Sequence, residues 1–319
     1  MARPRVLCGM ETHLWPQALQ KLRQVADVDL LSDVSPQGLQ KQIHDAQAYI
    51  CSMHVRVDRR ILDSAPNLRI IYTPSTGLDH LDLPEIEKRG IRLYSLKNER
   101  AFLDSITATA ELAFALMLAV MRNIPAAAAA AARGDWARDR FRGHQISGKT
   151  LGLLGLGRLG NMMIDYGRAF RMKVIGYDTD PQAAEGRCDR VDFEALLRQS
   201  DVLSIHIHLN EQNRGLIDAA ALAKMKSSTI LINTSRGAIV DEAALLQALQ
   251  NNTIAGAGLD VIEGEWRTDL PDHPLVRYAR QHGNLIIVPH IGGITHESQS
   301  AAICFVADRL AQLLTDSPL

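Results

Sequence analysis

The stretch Leu151-Gly152-Leu153-Leu154-Gly155-Leu156-Gly157-Arg158-Leu159-Gly160 constrains this chain more than any other. An apolar run fit for a buried strand passes into Gly155-x-Gly157-x-x-Gly160, and helix-compatible residues follow through Phe170. The order reads as strand, tight turn and helix, and it gives each glycine a task. Gly155 turns the chain, Gly157 lets a pyrophosphate approach the backbone, and Gly160 lets the helix pack closely on the strand. Arg158 and Leu159 then open a helix whose N–H groups and positive dipole end face the anion. Glycines recur in ordinary loops as well, so the next strand bears on the reading. This second apolar run, Val174 to Tyr177, ends in Asp178, near the ~20-residue spacing at which an acid meets the adenosine ribose. A carboxylate there accepts from a ribose diol and repels a 2′-phosphate, and Thr179 rather than an arginine follows it. The reading is NAD rather than NADP.

With 319 residues, 46% of them hydrophobic, the chain is long enough to bury a large core and to divide into two domains. Its net charge of −1 gives no electrostatic reason to expect nucleic acid or a membrane surface as partner. No signal-peptide core opens the sequence, and the apolar run Leu112 to Met121 is shorter than the ~20 residues a bilayer needs. The expectation is a soluble, cytoplasmic protein. Cys8, Cys51, Cys188 and Cys304 are isolated from one another, without the spacing of a metal site, so reduced thiols and no metal are expected.

Before the glycine stretch, Val6 to Cys8, Ala48 to Cys51 and Ile70 to Thr73 suit strands, while Pro16 to Val25, Pro36 to His44 and Asp58 to Ser64 suit helices. That alternation predicts a parallel sheet covered by helices. A long apolar helix follows from Ser105 to Met121, closed by Pro125, and the alanines 126–132 read as a second, packed helix stopped by Gly134. After Asp178 the pattern resumes, with strands at Val202 to His206 and Thr229 to Asn233 and helices at Phe193 to Gln199 and Ala219 to Met225. One turn and one strand edge keep plain structural readings open. Thr73 to His80 reads first as an ordinary turn, and His206 and His208 read first as satisfied core or loop histidines.

Three later stretches carry candidate chemistry. Asn233 through Asp241 sets Arg236 at a strand end with Asp241 placed to begin a helix. Ala255 through Val261 is a glycine-rich strand leading to Asp260, Glu263 and Glu265, and Val288-Pro289-His290-Ile291-Gly292-Gly293 ends a strand in a histidine. Each alone has a structural explanation: a surface arginine, solvated acids, a capping histidine. Together they set Arg, Glu and His at successive strand ends of one sheet, on the edge where NAD should lie.

This ordered set resembles the D-isomer-specific 2-hydroxyacid dehydrogenases, from about Ile70 to Gly293; earlier residues match only in pattern. The resemblance implies an α/β fold of two doubly wound Rossmann-like domains. An NAD-binding domain, 105–291, is inserted into a flavodoxin-like substrate domain, 1–104 and 292–319, that ends in a helix near Glu297 to Leu314. It implies an oxidoreductase moving a hydride reversibly between NADH and the carbonyl of a 2-oxo acid, glyoxylate- or hydroxypyruvate-like or larger. Arg236 would hold the substrate carboxylate and carbonyl, His290 would be the acid/base, and Glu265 would pair with His290. Asp260 would hold the nicotinamide carboxamide, with Thr234, Ser235 and Gly293 also on the cofactor. Ser75, Thr76 and Gly77 would lend N–H groups to the substrate carboxylate, and Met53 would line its pocket. A homodimer through the nucleotide domain is implied, with Ile106 to Met121 and Ala126 to Arg133 as candidate faces.

The chain departs from the family pattern at Trp266, where many relatives have proline, at Ser75-Thr76, and over Tyr94 to Leu103. The arginine that relatives acting on phosphorylated acids tend to carry near Ser52 and Met53 is absent there, which weighs against a phosphorylated substrate, although Arg56, Lys97 or Arg100 could serve an anionic tail instead. An NAD(H)-sensing, corepressor-like scaffold is the alternative function.

Overall fold

The computed structural model describes residues 3–52, 54–266 and 269–316; the expectation about Met53 lies outside them. The chain divides into two compact units, Met1–Ile106 with His296–Leu319, and Thr107–Thr295. The joints fall two and four residues later than the sequence pattern places them.

The first unit is a five-stranded parallel sheet in the order β2-β1-β3-β4-β5, from β1 (Arg5–Cys8), β2 (Asp27–Leu30), β3 (Ala48–Ile50), β4 (Ile70–Thr73) and β5 (Arg92–Ser95). Every residue of β3 and β4 is buried, as a parallel strand covered on both faces requires. The two strands that the apolar pattern does not announce, β2 and β5, are the edges. Asp27, Asp29 and Arg92 break their apolar pattern because an edge keeps one side in water. The terminal helix His296–Asp316 sets Val306, Leu310 and Leu314 against Val6, Ile50 and Tyr72 in one core. The segment expected as one helix, Pro16 to Val25, is a 3-10 turn, Pro16–Leu19, followed by a single α turn, Leu22–Val25.

The second unit is a seven-stranded parallel sheet from β6 (Thr150–Leu154), β7 (Lys173–Tyr177), β8 (Asp189–Arg190), β9 (Val202–Ile205), β10 (Ile230–Asn233), β11 (Gly256–Leu259) and β12 (Leu285–Ile287). Its order is β12-β11-β10-β9-β6-β7-β8, so the winding reverses between β6 and β9. Ligands of open parallel sheets bind outside the carboxyl ends at such a reversal.

The helix Ala108–Met121 explains the glycines of β11. A Cβ on Gly258 would press on Leu116 and Ile232, and one on Gly256 on Val120, so the missing side chains let the helix settle on the sheet. By length and a mean hydropathy of 1.6 the wider segment Arg100–Met121 could cross a membrane, contrary to the expectation from sequence. Its Ala110, Ala113, Leu116 and Met117 are nevertheless buried in the core of this unit. Pro125 does not close that helix. Asn123, in the left-handed region at φ 52°, ends it, and Pro125 sits in the first turn of the next helix, Ile124–Ala132, where its missing N–H has no partner to lose. In that alanine helix only Ala130 is buried, so its packing within the unit is slighter than expected.

Candidate active site at the carboxyl edge of the seven-stranded sheet

Because all seven strands are parallel, their carboxyl ends share one edge, and the candidate residues of this unit gather there in strand order. His290 follows β12, Asp260 and Glu265 follow β11, and Thr234, Ser235 and Arg236 follow β10; Gly155 to Gly160 follow β6, and Asp178 follows β7.

Gly155 takes φ 98°, and a Cβ there would clash with the backbone of His206 at the end of β9. A Cβ on Gly160 would overlap the carbonyl oxygen of Gly155, whereas the space beside Gly157 is open. The helix Arg158–Ala169 starts at Gly157 with no side-chain cap. That combination suits a pyrophosphate, since the first turn keeps its anion-facing polarity and nothing fills the approach. Asp178 Oδ2 accepts from Leu156 N–H at 2.7 Å and Oδ1 from Asp180 N–H at 2.9 Å, which fixes the carboxylate beside the glycine turn. Each oxygen keeps a second lone pair for a ribose hydroxyl. Arg190 donates to the carbonyls of Ala183, Asp178 and Asp180. A cation thus stands beside Asp178, although none is adjacent to it in sequence. Thr234 Oγ1 is buried with no partner among the described residues, a polar atom that a bound cofactor could satisfy; Ser235 Oγ donates to the carbonyl of Ile205 at 2.8 Å.

At the other end of the edge, His290 Nδ1 lies 2.6 Å from Glu265 Oε1. Glu265 is largely buried and His290 half-exposed, so the ring keeps Nε2 for another partner. Burial alone would lower the pKa of His290. The hydrogen bond and charge of Glu265, with the charge of Asp260, outweigh it, while Arg236 opposes them, and the net direction is up. His290 has φ 54°, a region that costs a non-glycine residue ~1–3 kcal/mol. Asp260 holds it there. Its carbonyl accepts from His290 N–H at 2.9 Å, and its carboxylate accepts from Ile291 N–H at 2.7 Å and Gly292 N–H at 2.9 Å. This bracing of the histidine turn had no signal in sequence, because it joins residues thirty apart only through the β11–β12 pairing. Burial raises the Asp260 carboxyl against the pull of those N–H groups.

Arg236 is held by its own turn: Nη1 donates to Ser235 O at 2.7 Å, and Asn233 Nδ2 donates to Arg236 O at 2.9 Å. A Cβ on Gly237 would overlap Ile262 and Glu263, so the glycine brings the arginine turn into backbone contact with the loop that carries Glu265. Gly293, assigned to the cofactor by resemblance, stands next to Gly292 in the braced turn with nothing against the position of a Cβ. His206 is not a fully satisfied histidine. Its Nε2 meets Ser204 Oγ at 2.8 Å, its Nδ1 is buried without a partner among the described residues, and burial pushes its pKa down to about 4. No cluster that could hold a metal ion occurs among the described residues.

Ser75, Thr76 and Gly77 belong to the five-stranded unit, after β4. There Gly77 N–H donates to Ser75 Oγ at 3.1 Å and Ser75 Oγ donates to Gly77 O at 3.0 Å. The Gly77 N–H, expected to serve a substrate carboxylate, is turned onto its own loop. His80 packs inside this unit, with Nε2 at 3.1 Å from Thr73 Oγ1.

A model of the D-isomer-specific 2-hydroxyacid dehydrogenase NAD-binding domain matches residues 114–292. The chain is 37% identical to a glyoxylate reductase of Thermococcus litoralis, across 92% of this chain and 88% of that protein. It is 33% identical to a D-3-phosphoglycerate dehydrogenase of Methanocaldococcus jannaschii across 94% of this chain, of which it spans only about half the length, 56%. A crystal structure of D-lactate dehydrogenase from Aquifex aeolicus with NAD and lactic acid superposes with a TM-score of 0.83 at 25% identity, covering 98% of this chain and 96% of that one.

Proposed function

The chain belongs to the D-isomer-specific 2-hydroxyacid dehydrogenase family of NAD-dependent oxidoreductases, and from that premise we propose that it reduces the carbonyl of a small 2-oxo acid with His290 as proton donor. The 2.6 Å contact between His290 and Glu265, on the same sheet edge as the glycine turn, is the observation that carries this reading. The uncapped helix at Gly157, the anchored Asp178 and the unpartnered Thr234 Oγ1 suit NAD, which when bound supplies or accepts the hydride.

His290 then gives its proton to the oxygen that gains negative charge. Glu265 keeps the ring protonated above the ordinary imidazole range and fixes which nitrogen faces outward. Arg236 offers a planar fork to the substrate carboxylate and stabilises the growing oxyanion. In the oxidative direction His290 takes the proton back. The substrate is read as glyoxylate, hydroxypyruvate or a larger 2-oxo acid. We further propose a homodimer, supported by the exposed alanine helix Ile124–Ala132 with Ile124 and Trp136 open beside it.

The test is NADH oxidation over a panel of glyoxylate, hydroxypyruvate, pyruvate, bulkier and phosphorylated 2-oxo acids, with His290→Gln as control. Turnover on one class, lost in the variant, is the expected result. NADH binding without turnover on any acid would instead favour an NAD(H)-sensing scaffold.

A further inference from the structure

Glu242 and His273 are a buried acid and imidazole that the chemistry above does not use. Glu242 opens the helix Glu242–Gln250 directly after its cap, Asp241. Its side chain is 16% exposed and that of His273 8%, too little for a solvated surface pair. Glu242 Oε1 accepts the backbone N–H of Glu263 at 2.7 Å, and Oε2 lies 3.1 Å from His273 Nε2. His273 stands at the N-terminal boundary of the helix Pro274–Ala279. One carboxylate therefore ties the backbone two residues before Glu265 to the start of the helix Pro274–Ala279.

His273 Nδ1 is buried with no partner among the described residues. With no acceptor at Nδ1 among the described residues, Nε2–H is the ring group placed to donate to Glu242. Burial pushes the Glu242 carboxyl up, while the Glu263 N–H and His273 pull it down. An acid serving only the helix dipole has no need of this desolvation. Glu242 spends both oxygens on one loop, whose near end already rests on Gly237 beside Arg236.

We propose that Glu242 and His273 are positioning residues for the acid–base pair, a clamp that sets where Glu265 meets His290. The inference rests on the reading of His290 as proton donor. Its test follows the Glu265–His290 hydrogen bond itself as well as turnover. A proton held between these groups gives a far-downfield ring N–H resonance, identified by its loss in His290→Gln.

Glu242→Ala should shift or abolish that resonance and lower kcat on the best acid of the panel by up to ~10²-fold, the scale of a ~1 Å misplacement. KM and NADH affinity should stay within about two-fold, since neither residue touches a ligand in this reading. Glu242→Gln keeps the Glu263 bond but turns an amide toward His273, forcing the ring proton to Nδ1, so its loss should be intermediate. In a Glu265→Gln background, Glu242→Ala should cost little more, because both act through one bond.

An unchanged resonance and kcat in Glu242→Ala overturn the clamp and leave the acid–base pair standing. The same loss with and without Glu265 also overturns it, by making Glu242 a residue of the fold alone. Full turnover in His290→Gln overturns the reading of the pair instead. Should the alanine variant fail to fold, Glu242→Gln carries the same readouts.

Discussion

The two ends of the seven-stranded edge are built by different means. Around β6 and β7 the site is backbone: glycines make room, a helix start supplies polarity, and Asp178 is tied to Leu156 in the turn it serves. Around β10 to β12 it is side chain, with acids buried at long sequence separation bracing the residues expected to react. Asp260 reaches thirty-one residues to Ile291, Glu265 twenty-five to His290 and Glu242 twenty-one to Glu263. A nucleotide is large and is recognised by shape and phosphate charge. A proton transfer needs one atom in one place, and that demands bracing from several directions.

The sharpest break in the comparison comes from His290→Gln, which should lower kcat by ~10²- to ~10⁴-fold, the range carried by general acid catalysis, and leave NADH binding intact. Stopped-flow turnover with a parallel NADH titration checks it; equal losses in both would join the two ends into one. Next, Asp260→Ala strips the acceptor from two N–H groups of the histidine turn, and should destabilise the fold by about 3 kcal/mol in urea unfolding while lowering kcat. A variant of full stability would mean that the turn holds itself.

Glu265→Gln sharpens the electrostatic half. His290 is raised by Glu265, so in the reductive direction its proton is present below the raised value and lost as pH climbs through it. Removing that charge leaves burial to act, and the falling limb of the kcat profile should move to lower pH. A limb that stays in place would take Glu265 out of the pair. The smallest effect belongs to the backbone-built end. Asp178→Ala should narrow the preference for NADH over NADPH by roughly ten-fold, about 1.4 kcal/mol.

The same division explains what was legible in sequence. The glycine turn, Asp178 and the strands on either side are contiguous signals, and Phe193–Gln199 emerges with the bounds read from its pattern. Arg236, Glu265 and His290 were legible as strand-end residues and by resemblance. Much of their bracing was not: Glu242 and His273 look like ordinary polar residues until pairing of β10 with β11 brings their segments together. The edge strands β2 and β5 escaped notice for the opposite reason, because water on one side lets charges interrupt the apolar pattern.

The contact at Gly237 has a consequence for how such a site can diversify. With no side chain between them, the arginine turn and the glutamate loop meet backbone to backbone, so neither can be lengthened or re-aimed without carrying the other along. The spacing between Arg236 and the turn before Glu265 is thereby inherited as a single unit. Trp266, 44% exposed on the same loop, lies outside that backbone contact and can vary without disturbing it.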